Sequence, residues 1–246
     1  MTSAKIDMPR WTAAEFERLV LESKPKVAVF DCDGTLWSGD AGGGFLHWSI
    51  EQGLVSRSTS DWIDSRYRVY LAGKTSEEQI CGEVVQIYAG LRDQEMRAAA
   101  AQYFQEFVQK RIFPEMAAVV AALQQAGTEI WAVSSTNKWV IAEGVRALGI
   151  PEERVLAVEL RIVDGLITSE IVDVPSGAGK AKALVRAGLP HPDAVFGNSV
   201  HDLAMLEMAR VPFPVNPSPM LLKAALTRGW GYFLPHGAEG EAVGGE

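Results

Sequence analysis

Val27-Ala28-Val29-Phe30-Asp31-Cys32-Asp33-Gly34-Thr35-Leu36 is the stretch that decides how this chain is read. Its first four residues, behind Lys26, form a continuous apolar run, the pattern of a strand buried on both faces of a parallel sheet. The run ends in two carboxylates two residues apart, and Gly34 then lets the chain turn sharply. Open α/β sheets bind ligands just beyond the carboxyl ends of their strands. Two acids in that place can hold a hard cation and still leave an oxygen free to attack. An Asp-x-Asp spacing alone is common in solvated turns. The strand before it and Gly-Thr-Leu after it set this one apart. Cys32, between the acids, is expected to point to the other face of the sheet and pack there.

Three later segments supply context. Residues 128–133 form a second apolar run that ends in Ser134-Ser135-Thr136-Asn137. Hydroxyls and backbone amides at a strand-to-helix junction offer an anion site, although such clusters also cap helices. Gly177-Ala178-Gly179-Lys180 opens a helix through Ala183, Leu184 and Val185, where Lys180 can neutralise phosphate charge or sit as a surface residue. Ala194-Val195-Phe196 leads into Gly197-Asn198-Ser199-Val200-His201-Asp202 and the helical Leu203-Ala204-Met205-Leu206. Each piece is ambiguous by itself; four in one order are not.

In that order they resemble the haloacid dehalogenase-like hydrolase superfamily, and within it the phosphoserine-phosphatase-like branch with a helical cap. The resemblance spans roughly residues 26–230 and includes the hairpin-like run 158–167, Pro214-Val215-Asn216-Pro217, and Gly229-Trp230. It implies an α/β fold: a doubly wound, Rossmann-like parallel sheet core with a small inserted all-helical cap. It implies Asp31 as the nucleophile that becomes an aspartyl phosphate and Asp33 as general acid and base. Ser134, with Ser135 beside it, and Lys180 would hold phosphoryl oxygens. A magnesium ion would be served by Asp31, Asp33, Asn198 and Asp202. The family usually has Asp where this chain has Asn198; an amide oxygen still ligates magnesium, but one negative charge is gone. In phosphoserine phosphatases a carboxylate nine residues past the nucleophile meets the substrate's amino group, which makes Asp40 a candidate for reading a cationic leaving group, or a polar hinge residue. By the same resemblance, relatives that displace halide or cleave phosphonates have no need of an acid at Asp33, which favours phosphate ester cleavage here.

The chemistry calls for such a set. A carboxylate approaching a phosphate dianion is repelled unless cations neutralise the site, and the leaving alkoxide needs a proton. The expected activity is magnesium-dependent hydrolysis of a small soluble phosphate ester, phosphoserine-like if it bears an amine. Sugar-phosphate hydrolysis or phosphotransfer is the alternative within the class, and a phosphometabolite-binding protein with a decayed metal site at Asn198 is the alternative outside it.

Composition agrees. The 246 residues, 48% of them hydrophobic, suffice for one large core and a small accessory domain. Lys and Arg number 23 against 31 Asp and Glu, a formal charge of −8 without a basic stretch, which argues against nucleic acid. Two cysteines suit a reducing compartment, residues 1–10 lack the order of a signal peptide, and no run approaches membrane-spanning length. The cytoplasm is the expected location, with no membrane partner; the oligomeric state is not legible.

The organisation expected is a first core segment over 1–40, a helical cap over 41–113, a second core segment over 114–235, and a disordered tail over 236–246. Thr12-x-x-Glu15 is a capping-box pattern opening a helix with Phe16, Leu19 and Val20 on one face. The run Ser38-Gly39-Asp40-Ala41-Gly42-Gly43-Gly44 reads as a hinge, and Phe113-Pro114 as the returning one. Within the cap, Thr75-x-x-Glu78 reads as a helix start. Trp37, Trp48 and Trp62 are candidates for a cation–π face or for core packing. Arg66, Arg68 and Lys74 are candidate partners for a substrate carboxylate, and His201 is placed to support Asp202 from behind.

Overall fold

The computed structural model describes residues 10–238. In chain order the elements are β1 (Arg10–Trp11), α1 (Ala13–Glu22), β2 (Val27–Phe30), α2 (Ala41–Glu51), α3 (Arg57–Leu71), α4 (Glu77–Gln86), α5 (Asp93–Tyr103), α6 (Pro114–Gln125), β3 (Glu129–Asn137) and α7 (Lys138–Arg146). They continue with β4 (Val155–Val163), β5 (Leu166–Asp173), α8 (Ala178–Arg186), β6 (Ala194–Gly197), α9 (Leu203–Met208), β7 (Val211–Pro214), α10 (Pro219–Arg228) and β8 (Tyr232–Phe233). A six-stranded sheet has the order β5-β4-β3-β2-β6-β7, parallel throughout except for the β4–β5 hairpin; β1 and β8 pair separately.

This order follows from the apolar runs. The chain leaves β2, builds β3, β4 and β5 on one side, then returns to build β6 and β7 on the other. The reversal puts a crevice at the carboxyl end of β2, between β3 and β6, so Asp31 emerges at the point where ligands bind in sheets of this kind. Alternation along β2 divides the core. Ala28 and Phe30 belong to the larger cluster with Phe16 and Phe213, whereas Val29 faces Leu184, Met205 and Leu206. Phe30, Phe196 and Phe213 stack across three neighbouring strands at 4.1 and 4.9 Å between ring centroids. Such pairs each contribute about 0.5–1.5 kcal/mol beyond the area they bury. Cys32 is fully buried in that same cluster, as packing. The capping box of α1 forms with both its hydrogen bonds, and Phe16 and Val20 are fully buried.

Two local expectations are corrected. The glycine run is not a hinge: α2 begins at Ala41, capped by Asp40, and Gly42–44 are helical. A Cβ on Gly42 would lie 2.5 Å from Thr136 Oγ1, and one on Gly44 2.1 Å from the Tyr103 hydroxyl. These glycines serve close approach between helix and neighbours, a use that sequence cannot tell from flexibility. Likewise α4 is capped by Ser76, whose hydroxyl accepts from Gln79 N–H, one residue after the expected Thr75. At 113–114 the chain does turn back, with Pro114 at the first position of α6, where its missing N–H costs nothing.

The helices between β2 and α6 are not uniform. Phe45 of α2 and Tyr103 of α5 share the main core with Phe30, while Leu46, Ile63 and Ile80 form a small cluster of their own between α2, α3 and α4. Val85 of α4 also belongs to the main core, so α3 is the outlying part. The two stretches of chain that join these helices to the sheet run side by side, with Ser38 N–H donating to Arg111 O and Phe113 N–H to Leu36 O. No helix among the described residues is long and apolar enough to cross a membrane. At the carboxyl end, His236 N–H donates to Glu115 Oε1, and the rest of the expected tail, 239–246, lies outside the described residues.

Candidate active site

A cavity of about 460 Å³ opens over the end of β2. It brings together every site residue expected from the sequence except Asp202, which lies fully buried behind it: Asp31, Asp33, Asp40, Ser134, Ser135, Lys180 and Asn198 all line it. Asp31 is buried, with Thr35 Oγ1 donating to its Oδ2 at 2.9 Å and Lys180 Nζ to its Oδ1 at 2.7 Å. The same ammonium donates to Asp202 Oδ1 at 2.6 Å. One buried cation thus faces two buried carboxylates.

That imbalance governs the protonation. Burial, and then Asp202, push Asp31 up to about 7, with Lys180 opposing. Burial opposes charge on Lys180, but Asp202 and Asp31 outweigh it and hold the ammonium above its ordinary range. Asp202 is held in place by more than the lysine. Its Oδ2 accepts from the N–H groups of Asn198 and Ser199, so it shapes the loop after β6.

Asp33 is oriented by three donors: Trp37 Nε1 and Ala41 N–H on Oδ1, and Thr136 Oγ1 on Oδ2. Burial, and then Asp40, push it up to about 6, against the pull of those donors. A carboxyl group that titrates there both gives and takes protons near neutrality. Gly34 follows with φ +77°, and a Cβ on it would lie 1.9 Å from Asn198 Nδ2, so the Asn198 amide sits against the turn as only glycine allows. Ser134 Oγ accepts from Thr136 N–H, which leaves its own proton to donate, while Ser135 Oγ donates to Pro175 O.

The floor offers hard oxygen donors, Asp31 and Asn198 with Asp202 behind them, which fit a magnesium ion. Among the described residues no three His, Cys, Asp or Glu side chains cluster as ligands. Magnesium needs no such cage, because it keeps several waters and takes substrate oxygens.

The wall above is what the sequence left unread. Leu46, Tyr67, Tyr70, Ile80, Cys81, Val84 and Val85 line it, and Glu77 joins His201 across it at 2.6 Å. Burial works against the ionised Glu77, but hydrogen bonds from His201 and Ser176 bring it below its ordinary range; the Glu77 contact in turn raises His201. The tryptophans do not form a cation–π face. Trp37 is fully buried on Asp33, Trp48 is buried in the core, and Trp62 lies outside the cavity. Arg66 is turned to Glu83 in a two-bond pair at 2.7 and 2.9 Å, and neither Arg68 nor Lys74 lines the cavity.

The family profile of haloacid dehalogenase-like hydrolases matches residues 28–207, which spans most of the chain and both ends of this site. The chain belongs to that family. A haloacid dehalogenase-like hydrolase has curated relatives of more than one specificity. The chain is 25% identical to a histidinol-phosphatase of Neisseria meningitidis over 83% of its own length and 96% of the relative's. It is 24% identical to a phosphoserine phosphatase of Mycobacterium tuberculosis over 92% and 76% of the two lengths. A solved structure of a Bordetella pertussis protein of unknown function superposes with a TM-score of 0.75 at 24% identity, covering 84% of this chain and 97% of the other. The fold is common to these comparisons, and the enzyme class, that of a phosphatase, to the two named relatives. Substrate is not, since those relatives are about equally distant and differ in it.

Proposed function

We propose that the protein is a magnesium-dependent phosphomonoesterase that works through an aspartyl phosphate on a small, amine-bearing phosphate ester. The observation that carries this reading is the buried Asp31–Lys180–Asp202 group beside an Asp33 raised to about 6, all at the carboxyl end of the central strand. A carboxylate fixed on both oxygens by Thr35 and Lys180 is held ready for in-line attack rather than free to rotate.

In the first step an Asp31 oxygen bonds to phosphorus, the ester P–O bond breaks, and the leaving alkoxide takes the proton of Asp33. In the second, water attacks phosphorus and gives a proton back to Asp33, releasing inorganic phosphate and the Asp31 carboxylate. Lys180 and the Ser134 hydroxyl hold phosphoryl oxygens, and Ser135 frames the same loop. Magnesium, held by Asp31, Asp33 and Asn198 with Asp202 behind them, would supply charge neutralisation for the phosphoryl group. Trp37, Ala41 and Thr136 fix the orientation of the Asp33 carboxyl group, while burial and Asp40 raise it to where it can exchange a proton. Helices 41–111 act as the cap, with Asp40 reading the ammonium group of the leaving alcohol.

Phosphate release from a panel of small phosphomonoesters, with and without magnesium, tests the reading. Metal-dependent release is expected. Ester binding without release under any metal condition would instead favour a phosphometabolite-binding protein. Asn198→Asp restores the missing charge and should lower the half-saturating magnesium concentration roughly tenfold. An unchanged value would place Asn198 away from the ion.

A further inference from the structure

We infer that the cavity selects phosphate esters of ammonium-bearing alcohols that carry no carboxylate, an inference that rests on the phosphomonoesterase reading above. The alcohol part of any ester meets the upper wall, where Glu77 is paired with His201 and Asp40 is an acid without a cationic partner among the described residues. Asp40 gives one oxygen to Gly43 N–H, and its other oxygen has no hydrogen-bond donor among the described residues. Glu77 is the second acid. Among the described residues only two cationic side chains line the cavity, and both are committed: Lys180 to Asp31 and Asp202 at the floor, and His201 to Glu77 at the side. Arg66, on the helix that carries Tyr67 and Tyr70, has its guanidinium tied to Glu83.

A carboxylate on the leaving alcohol would therefore be stripped of water against Leu46, Ile80, Val84 and Val85 and placed near Asp40, with no uncommitted cation lining the cavity to meet it. An ammonium group meets the opposite conditions. Asp40 supplies charge, and the rings of Tyr67 and Tyr70, 5.9 Å apart, supply an aromatic surface that favours cations and apolar bodies alike. An amino alcohol with an apolar or aromatic body uses the whole wall. An amino acid with a carboxylate does not.

Four esters test this through kcat/KM: ethanolamine phosphate, phosphoserine, propyl phosphate and phenylalaninol phosphate. Phosphoserine differs from the first by a carboxylate, and propyl phosphate by a methyl group in place of ammonium. Ethanolamine phosphate is expected to exceed phosphoserine by at least about tenfold and propyl phosphate by several-fold, with phenylalaninol phosphate best of all. Val84→Arg, which adds a cation to the wall, should raise phosphoserine relative to ethanolamine phosphate. Phosphoserine turned over as well as ethanolamine phosphate would overturn the inference and leave the phosphatase reading standing. Should none of the four release phosphate, the esters are ranked instead by calorimetric binding to the Asp31→Asn variant. Phosphoserine binding as tightly as ethanolamine phosphate would then overturn the selectivity, and weaker binding by tenfold would sustain it.

Discussion

Asp31→Asn should reduce phosphate release by at least about 10⁴-fold, because an amide cannot form the covalent intermediate and removal of a nucleophile disables the whole unit. The same variant should be more stable than the parent protein at pH 8. Asp31 is raised from its ordinary 3.8 to about 7 by burial and by Asp202, so the folded protein binds that proton more tightly than the unfolded chain does. The group's contribution to stability is therefore full below the unfolded value and is lost as the pH rises through about 7. Replacing it with an amide removes that loss. Tm measured against pH should fall less steeply between pH 4 and 8 in the Asp31→Asn variant, and the two curves should cross toward acid. Retained turnover would overturn the assignment of Asp31, and parallel Tm curves would mean that its carboxyl group is not raised.

Lys180→Met carries the other large effect, and it points the opposite way on stability. Methionine fills the volume but leaves Asp31 and Asp202 facing each other without a cation, in a site where each is almost wholly buried. Breaking a buried ion group by removing one partner typically costs about 3–5 kcal/mol, or roughly 10 °C in Tm for a chain of this size. Phosphate release should drop by at least about 10²–10³-fold, the usual effect of removing one charged donor from a preorganised site. Adding Asp202→Asn should restore much of the stability and none of the activity. Recovered turnover in the double variant would refute a phosphate-binding role for Lys180.

What the sequence disclosed and what it withheld divide along a physical line. The core was legible because its signals are local: an apolar run is a buried strand, Thr12 and Glu15 sit three apart as a capping box requires, and Lys180 stands in the first turn of a glycine-led helix. Asp31 and Asn198 each directly follow a strand and Ser134 lies in the last residues of β3, all at the same edge of the sheet, while Asp33 sits in the turn after β2 and Lys180 in the first turn of α8. The wall was not legible, since its contacts join distant parts of the chain. Glu77 lies on α4 and His201 in the loop after β6, and nothing in either neighbourhood marks the pair. Thr136 reads in the sequence as part of a hydroxyl cluster, yet its bond to Asp33 depends on how β3 lies beside β2. The glycines at 42 and 44 misled for a related reason: composition records a missing side chain but not the Thr136 and Tyr103 atoms that fill its place.

The paired crossings at Ser38–Arg111 and Leu36–Phe113 bear on how such a protein can diversify. Because the chain leaves the sheet and comes back through adjacent positions, lengthening what lies between adds little loop-closure entropy, about 0.6 kcal/mol per doubling. The exchangeable unit is smaller than the insertion, since α2, α4 and α5 are rooted in the main core and α3 is held through the small cluster around Ile63. Exchanging the segment from Arg57 to Leu71, which carries Tyr67 and Tyr70, would remake part of the specificity wall while leaving the catalytic floor in place.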